Sequence, residues 1–112
     1  MGTDRNETIN FHLHLLLKIK EIDQYPFTKL IIEKELTQEE YRNLMQWTDC
    51  IHQEFLAQTE EGFLDVTPLL IKFVGMLHYK LEPKQTIEAL KKEGYYPSLM
   101  EAFLKLPVLR NT

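Results

Sequence analysis

Residues 9–20, INFHLHLLLKIK, constrain the fold more than any other stretch because they read with two periods. Ile9, Phe11, Leu13, Leu15, Leu17 and Ile19 alternate with mostly polar partners, the pattern of a half-buried strand. Wound as a helix, the same apolar residues cover an arc of about 240°, far wider than the stripe of an ordinary surface helix. In a strand His12 and His14 share a face and could share a metal; in a helix they lie about 200° apart and cannot. The run is leucine-rich, poor in β-branched residues and about twice the length of a typical strand. It predicts a helix, and with it an all-α chain.

At 112 residues, with 44% apolar and 27% charged residues, one domain with a real core is expected over residues 1–112, with 1–7 and 107–112 loosely ordered. Cys50 is the single cysteine, which excludes an internal disulfide and suits a reducing compartment. The opening MGTDRNET has no secretory apolar core, and Asn6 stands where a myristoylation signal wants Ser or Thr. The richest apolar stretch, 68–79, is too short to span a bilayer and contains Lys72. A cytoplasmic protein without membrane contact is the expectation. Charge is uneven: residues 1–66 carry a net of −7 and residues 67–112 a net of +3. That asymmetry reads as solvated faces with accidental bias; the sharper alternative is complementarity between the halves, within one chain or between copies. The overall net of −4 runs against nucleic acid as a partner.

The first helix is predicted from Asn6 or Thr8 to just before Tyr25-Pro26. Residues 27–34 suit a short helix, although the triplet Leu30, Ile31, Ile32 also suits a strand. Thr37-Gln-Glu-Glu40 is a capping box, with Leu36 and Tyr41 placed as its hydrophobic staple. The helix it opens runs to about Thr59, with Gly62 beyond, and its stripe is Tyr41, Leu44, Met45, Ile51, Phe55 and Leu56. Thr67-Pro68 predicts an N-cap and first turn for a helix continuing through Leu81. That helix is apolar over about 220°, and Gly75 in its middle implies a closely packed neighbour. Residues 84–93, stopped by Gly94, and residues 97–105 complete a bundle of about five to six helices. The tail is expected to pack through Leu106 or Leu109.

Two helices apolar on most sides are hard to cover in so small a monomer. The expected remedy is an intertwined or packed homo-oligomer, its self-interface formed by Ile9, Leu13, Leu16 and Leu17 with Leu70, Val74 and Leu77. Another protein is a further partner to consider.

No chemical motif survives inspection. His12, His14, His52, His78 and Cys50 lack metal-ligand spacing, and Cys50 and His52 diverge on their helix. His52 falls inside the apolar stripe, where a hydrogen-bonded core histidine is expected. Cys50 lies off the stripe beside Asp49, which disfavours a thiolate. Glu39 with Glu40, and Glu60 with Glu61, are adjacent and diverge; the first pair suits the positive end of a helix dipole. Met45, Met76, Met100, Phe55, Phe73 and Phe103 fall at core positions, and Trp47, Tyr95 and Tyr96 at stripe margins or turns. No cofactor, metal or catalytic residue is expected. The segment around Gly94-Tyr95-Tyr96-Pro97 has the outline of a helix-turn-helix. Ser98, Leu99, Met100 and Glu101 do not suit a recognition helix. A nucleic-acid-binding regulator using Lys84, Lys91 and Lys92 is therefore the alternative to a non-enzymatic interaction module.

With FHLHLLLKIKEIDQYPF, ELTQEEYRNLM and ALKKEGYYPSLMEAFLK in view, the chain resembles the YhaI-like family of small uncharacterised proteins of Bacillus-type bacteria. The likeness runs from about residue 8 to residue 105. It implies a multihelical, oligomeric fold in a bacterial cytoplasm, and it implies no activity.

Overall fold

A computed structural model describes residues 2–63 and 65–110, with side-chain environments from Arg5 onward. The described residues are helical, with no strand among them: α1 (Gly2–Leu17), a 3-10 segment (Lys20–Gln24), α2 (Pro26–Glu33), α3 (Gln38–Glu60), α4 (Thr67–Met76), α5 (Pro83–Glu93), α6 (Pro97–Lys105) and α7 (Pro107–Arg110). Both readings left open by periodicity resolve to helix, over 9–17 and over 26–33. Seven helices replace the expected five to six. The ends expected to be loose are helical where described, from Gly2 and to Arg110, and Leu109 is buried. Met1, Asn111 and Thr112 lie outside the described residues.

Two helices stop earlier than their apolar patterns. α1 ends at Leu17, where the Lys18 and Ile19 amides tighten onto the Leu15 and Leu16 carbonyls and Ile19 turns extended (φ −71°, ψ 127°). The break lets Ile22 fold back toward α2 instead of prolonging a solvent-facing rod. α4 ends at Met76, with Leu77 extended, so that Leu81 reaches the core (5% exposed) and His78 and Lys80 reach α3.

Helix ends are closed by local chemistry. The Thr37–Glu40 capping box forms in full, hydroxyl to the Glu40 amide at 3.1 Å and carboxylate to the Thr37 amide at 2.8 Å. Its staple residues Leu36 and Tyr41 both pack on the core. At α4 the expected cap shifts by one residue: Val66 stands at the N-cap without a side-chain hydrogen bond, and Asp65 accepts the Thr67 amide at 3.0 Å. Glu82 caps α5, accepting the Lys84 and Gln85 amides, with Pro83 at the first helical position. α2, α3 and α5 end on six-residue backbone turns, closed by Leu36 to Ile31, Phe63 to Gln58 and Tyr95 to Leu90, with Glu35, Gly62 and Gly94 in left-handed conformations.

One apolar cluster holds α2 to α7 together. α5 lies between α2 and α6, α4 packs along α3, and α7 closes over α6. Phe73, Ile87, Leu90, Leu99, Met100 and Phe103 are wholly buried, with the Phe73 and Phe103 rings 5.8 Å apart. The Trp47 indole donates to the Lys72 carbonyl and Tyr96 donates to Asp49, pinning α3 to α4 and to the α5–α6 turn.

α1 stands apart. None of its described side chains is buried, and its packing is chiefly on the 3-10 segment. The molecule measures 58 × 26 × 22 Å, with a radius of gyration of 16.4 Å; a compact chain of this length would give about 13 Å. The excess length is an arm.

Candidate functional site

The arm is the most unusual surface in the molecule. Phe11 is 58% exposed, Leu16 53%, Ile9 46%, Leu15 44% and Leu13 37%, with Leu17 half-buried. On the helical wheel Ile9, Leu13, Leu16 and Leu17 share one side, while Phe11 and Leu15 lie about 100–160° from them on the other. The first side leans over an apolar groove of about 300 Å³ between α1, the 3-10 segment and α2, lined by Leu13, Leu16, Leu17, Ile19, Ile22, Tyr25 and Ile32 with Glu21 at its edge. Phe11 and Leu15, on the second side, are not among the residues that line this groove. Ile9, Leu13, Leu16 and Leu17, expected at a self-interface, are thus gathered on one helix face.

The three residues expected on α4 separate. Leu70 is 5% exposed and belongs to the chain's own core, so it offers no surface to a partner. Val74 is 37% exposed, and Leu77 is half-buried against the core. Ile71 and Met76 are instead the bare apolar residues there, at 66% and 62%; the latter was expected in the core. Gly75 has no close neighbour: a Cβ at this position meets nothing within 4 Å. The packed helix inferred from Gly75 is absent among the described residues.

Histidines and thiol do not converge, and no group of three or more His, Cys, Asp or Glu able to hold a metal occurs among the described residues. His12 and His14 are exposed on α1, and Cys50 is exposed on α3. His52 departs from expectation. Its Nδ1 is buried without a hydrogen-bond partner, and its ring lies 4.6 Å from Tyr96 and 6.4 Å from Phe55. The ring is held by packing, not by a hydrogen bond at that nitrogen.

Glu40 does more than complement a helix dipole. Besides capping α3, its carboxylate takes His78 Nε2 at 2.6 Å and Lys80 Nζ at 3.1 Å, and Lys80 also reaches the Glu35 carbonyl. His78 Nδ1 accepts the Lys80 amide at 3.1 Å, which fixes the ring's orientation toward Glu40. The Thr37 amide, Lys80 and His78 hold the Glu40 carboxyl down at about 2. With His78 bonded at both nitrogens and no nucleophile in the cluster, this is a clasp between α3 and the α4–α5 turn. Glu39, Glu60 and Glu61 point to solvent.

Glu93 forms a second clasp invisible in sequence. From the end of α5 it accepts the Phe27 and Thr28 amides at 3.0 Å and the Thr28 hydroxyl at 2.9 Å, capping α2 across 65 residues. α2 has no cap of its own at Tyr25.

Lys84 and Lys92 border an open groove of about 690 Å³ between α2 and α5, where Asp23, Glu33, Glu82 and Glu88 stand among them. Lys91 is exposed on α5. Charge of both signs in one groove makes no phosphate track. The α5–α6 turn forms as expected, with Gly94 at φ +93°, and buries Leu99 and Met100 where a recognition helix would read bases.

Fold and surface together define a small all-helical bundle with one uncovered apolar helix, and no helix among the described residues is long and apolar enough to cross a membrane. The chain belongs to the family described as "Protein of unknown function (DUF1878)", whose model matches residues 3–107.

Proposed function

We propose that this protein is a non-enzymatic module that associates with copies of itself, with α1 as the principal contact. One observation carries the reading. A 16-residue leucine-rich helix contributes no described buried side chain to its own chain. Each large apolar side chain moved from water into a contact contributes about 1.5–3 kcal/mol, so the arm holds enough unspent burial to drive association. Monomeric proteins seldom leave such a surface open. Charges at the two ends of α1 and the mixed α2–α5 groove favour a protein partner over nucleic acid; salt-sensitive retention on heparin would argue the reverse. The finer likeness to YhaI-like proteins supports a bacterial, cytoplasmic setting for the same role.

Light scattering during size-exclusion chromatography tests the reading. The full chain is expected at a stable multiple of 13.4 kDa. Phe11→Asp with Leu13→Asp, one change on each apolar side of α1, is expected to return it to a folded monomer. A wild-type monomer at every concentration overturns the proposal, as does an oligomer that the double variant leaves intact.

A further inference from the structure

The groove between α1, the 3-10 segment and α2 encloses about 300 Å³. That volume stands at the small end of the range for small-molecule sites, about 300–1,000 Å³. Leu16, Leu17, Ile22 and Ile32 are among its walls, the last three half-buried. Glu21 is the one charged residue in the lining, and it forms no ion pair among the described residues. Tyr25 lines the same groove, 53% exposed, and its ring meets no other aromatic ring among the described residues. Lys20 and Lys92 line the adjoining polar cleft instead, with Asp23, Gln24 and the shared Glu21. Asp23 is already taken by Lys29 at 3.1 Å. A carboxylate and an aromatic ring, neither engaged by the chain itself, thus border one apolar groove.

We propose that this groove binds a small amphiphilic cation, its alkyl chain along the leucine and isoleucine walls and its ammonium head at Glu21 and Tyr25. Apart from those two, no lining side chain can form a hydrogen bond, so the body of the ligand is apolar. The head follows from charge. An unpaired carboxylate at the edge of an apolar surface attracts a cation and repels an anion, and the face of a tyrosine ring favours the same sign. A fatty carboxylate or a phosphate ester would set like charge against Glu21. An uncharged ligand would satisfy the walls but leave Glu21 unanswered. The assignment goes beyond self-association and does not rest on it, because Phe11 and Leu15 on the outer side of α1 take no part in the lining.

Calorimetry on the full chain tests this with probes of one tail length, each kept below its micelle concentration: octyltrimethylammonium, octanol and octyl sulfate. The ammonium is expected to bind about tenfold tighter than octanol, from an exposed ion pair together with an exposed cation–π contact, and octyl sulfate more weakly than octanol. Tetramethylammonium, a head without a tail, is expected not to bind, since the apolar walls supply most of the affinity. Glu21→Gln should bring the ammonium to within about threefold of octanol while leaving octanol unchanged, and Tyr25→Leu should weaken the ammonium about threefold. Both residues are exposed, so these changes leave the core untouched. An ammonium that binds no better than octanol, octyl sulfate as the tightest probe, or a Glu21→Gln chain that keeps the full preference overturns the proposal. So does the absence of binding by any probe. Mass measured on the same samples reads self-association separately, so either reading can fail while the other stands.

Discussion

Glu35 and Gly94 occupy the same left-handed position after their helices, at φ 56° and φ 93°, but only glycine adopts it without a Cβ penalty. Glu35 is held there by the six-residue turn and by Lys80 Nζ on its carbonyl. Glu35→Gly is therefore expected to stabilise the fold by about 1 kcal/mol and Gly94→Ala to destabilise it by a similar amount, read from urea unfolding. Glu40 contributes to the acid dependence of the molecule, as does Asp65, whose carboxyl is held down by its bonds to Thr67. The Glu40 carboxyl ordinarily titrates near 4.5 and is held at about 2, first by the Thr37 amide and then by Lys80 and His78. A depressed carboxyl stabilises the folded state above its ordinary value and loses that contribution as pH falls toward the folded one. Thermal midpoints of the wild type should drop between pH 4.5 and 2, and Glu40→Gln should flatten that part of the acid limb while lowering the midpoint at neutral pH. An unchanged acid limb in the variant counts against the clasp.

At the scale of elements, α2 depends on another helix for its start. Its N-terminal amides have no local cap and are satisfied by Glu93 from the end of α5, which also aligns the two helices whose side chains share the core. Glu93→Ala is expected to cost about 1–2 kcal/mol, as for other lost N-caps, and to raise amide exchange selectively at Phe27 and Thr28. Loss confined to α5, with those amides still protected, would show that α2 stands without it. α1 has the opposite character: its helix is complete, and what it lacks is a neighbour.

Across the whole molecule, core and arm differ in what they contribute to stability. Phe103 is wholly buried against Phe73, so Phe103→Ala is expected to cost about 3–5 kcal/mol. Phe11 is 58% exposed, and Phe11→Asp should move the unfolding free energy of the 13.4 kDa species by no more than about 0.5 kcal/mol, while altering association. Denaturant curves taken across a range of protein concentrations separate the two effects. The uneven charge of the halves finds part of its use inside the chain, where Glu54 meets Lys72 and Glu40 meets Lys80.

The sequence by itself determined what depends on near neighbours. Helix rather than strand over residues 9–17, the Thr37–Glu40 box, proline at the first turn of α4, and the Gly94 stop all follow from contacts within a few residues, which local chemistry dictates. Much of the core stripe of α3 was legible for the same reason, through Leu44 and Ile51, although its Thr48 is buried because a hydroxyl can return its hydrogen bond to the Leu44 carbonyl. Only the tertiary structure decided where continuous apolar runs break. α1 and α4 stop short because Ile22 and Leu81 have more to pack against after a turn than along a rod. It alone decided that Glu93 caps α2 and that His78 and Lys80 close on Glu40, since contacts across 38 to 66 residues leave no periodic trace. It also divided the predicted interface, drawing Leu70 into the core and leaving the arm uncovered. Which apolar residue becomes core and which becomes surface depends on what the rest of the chain brings beside it, and no local pattern contains that.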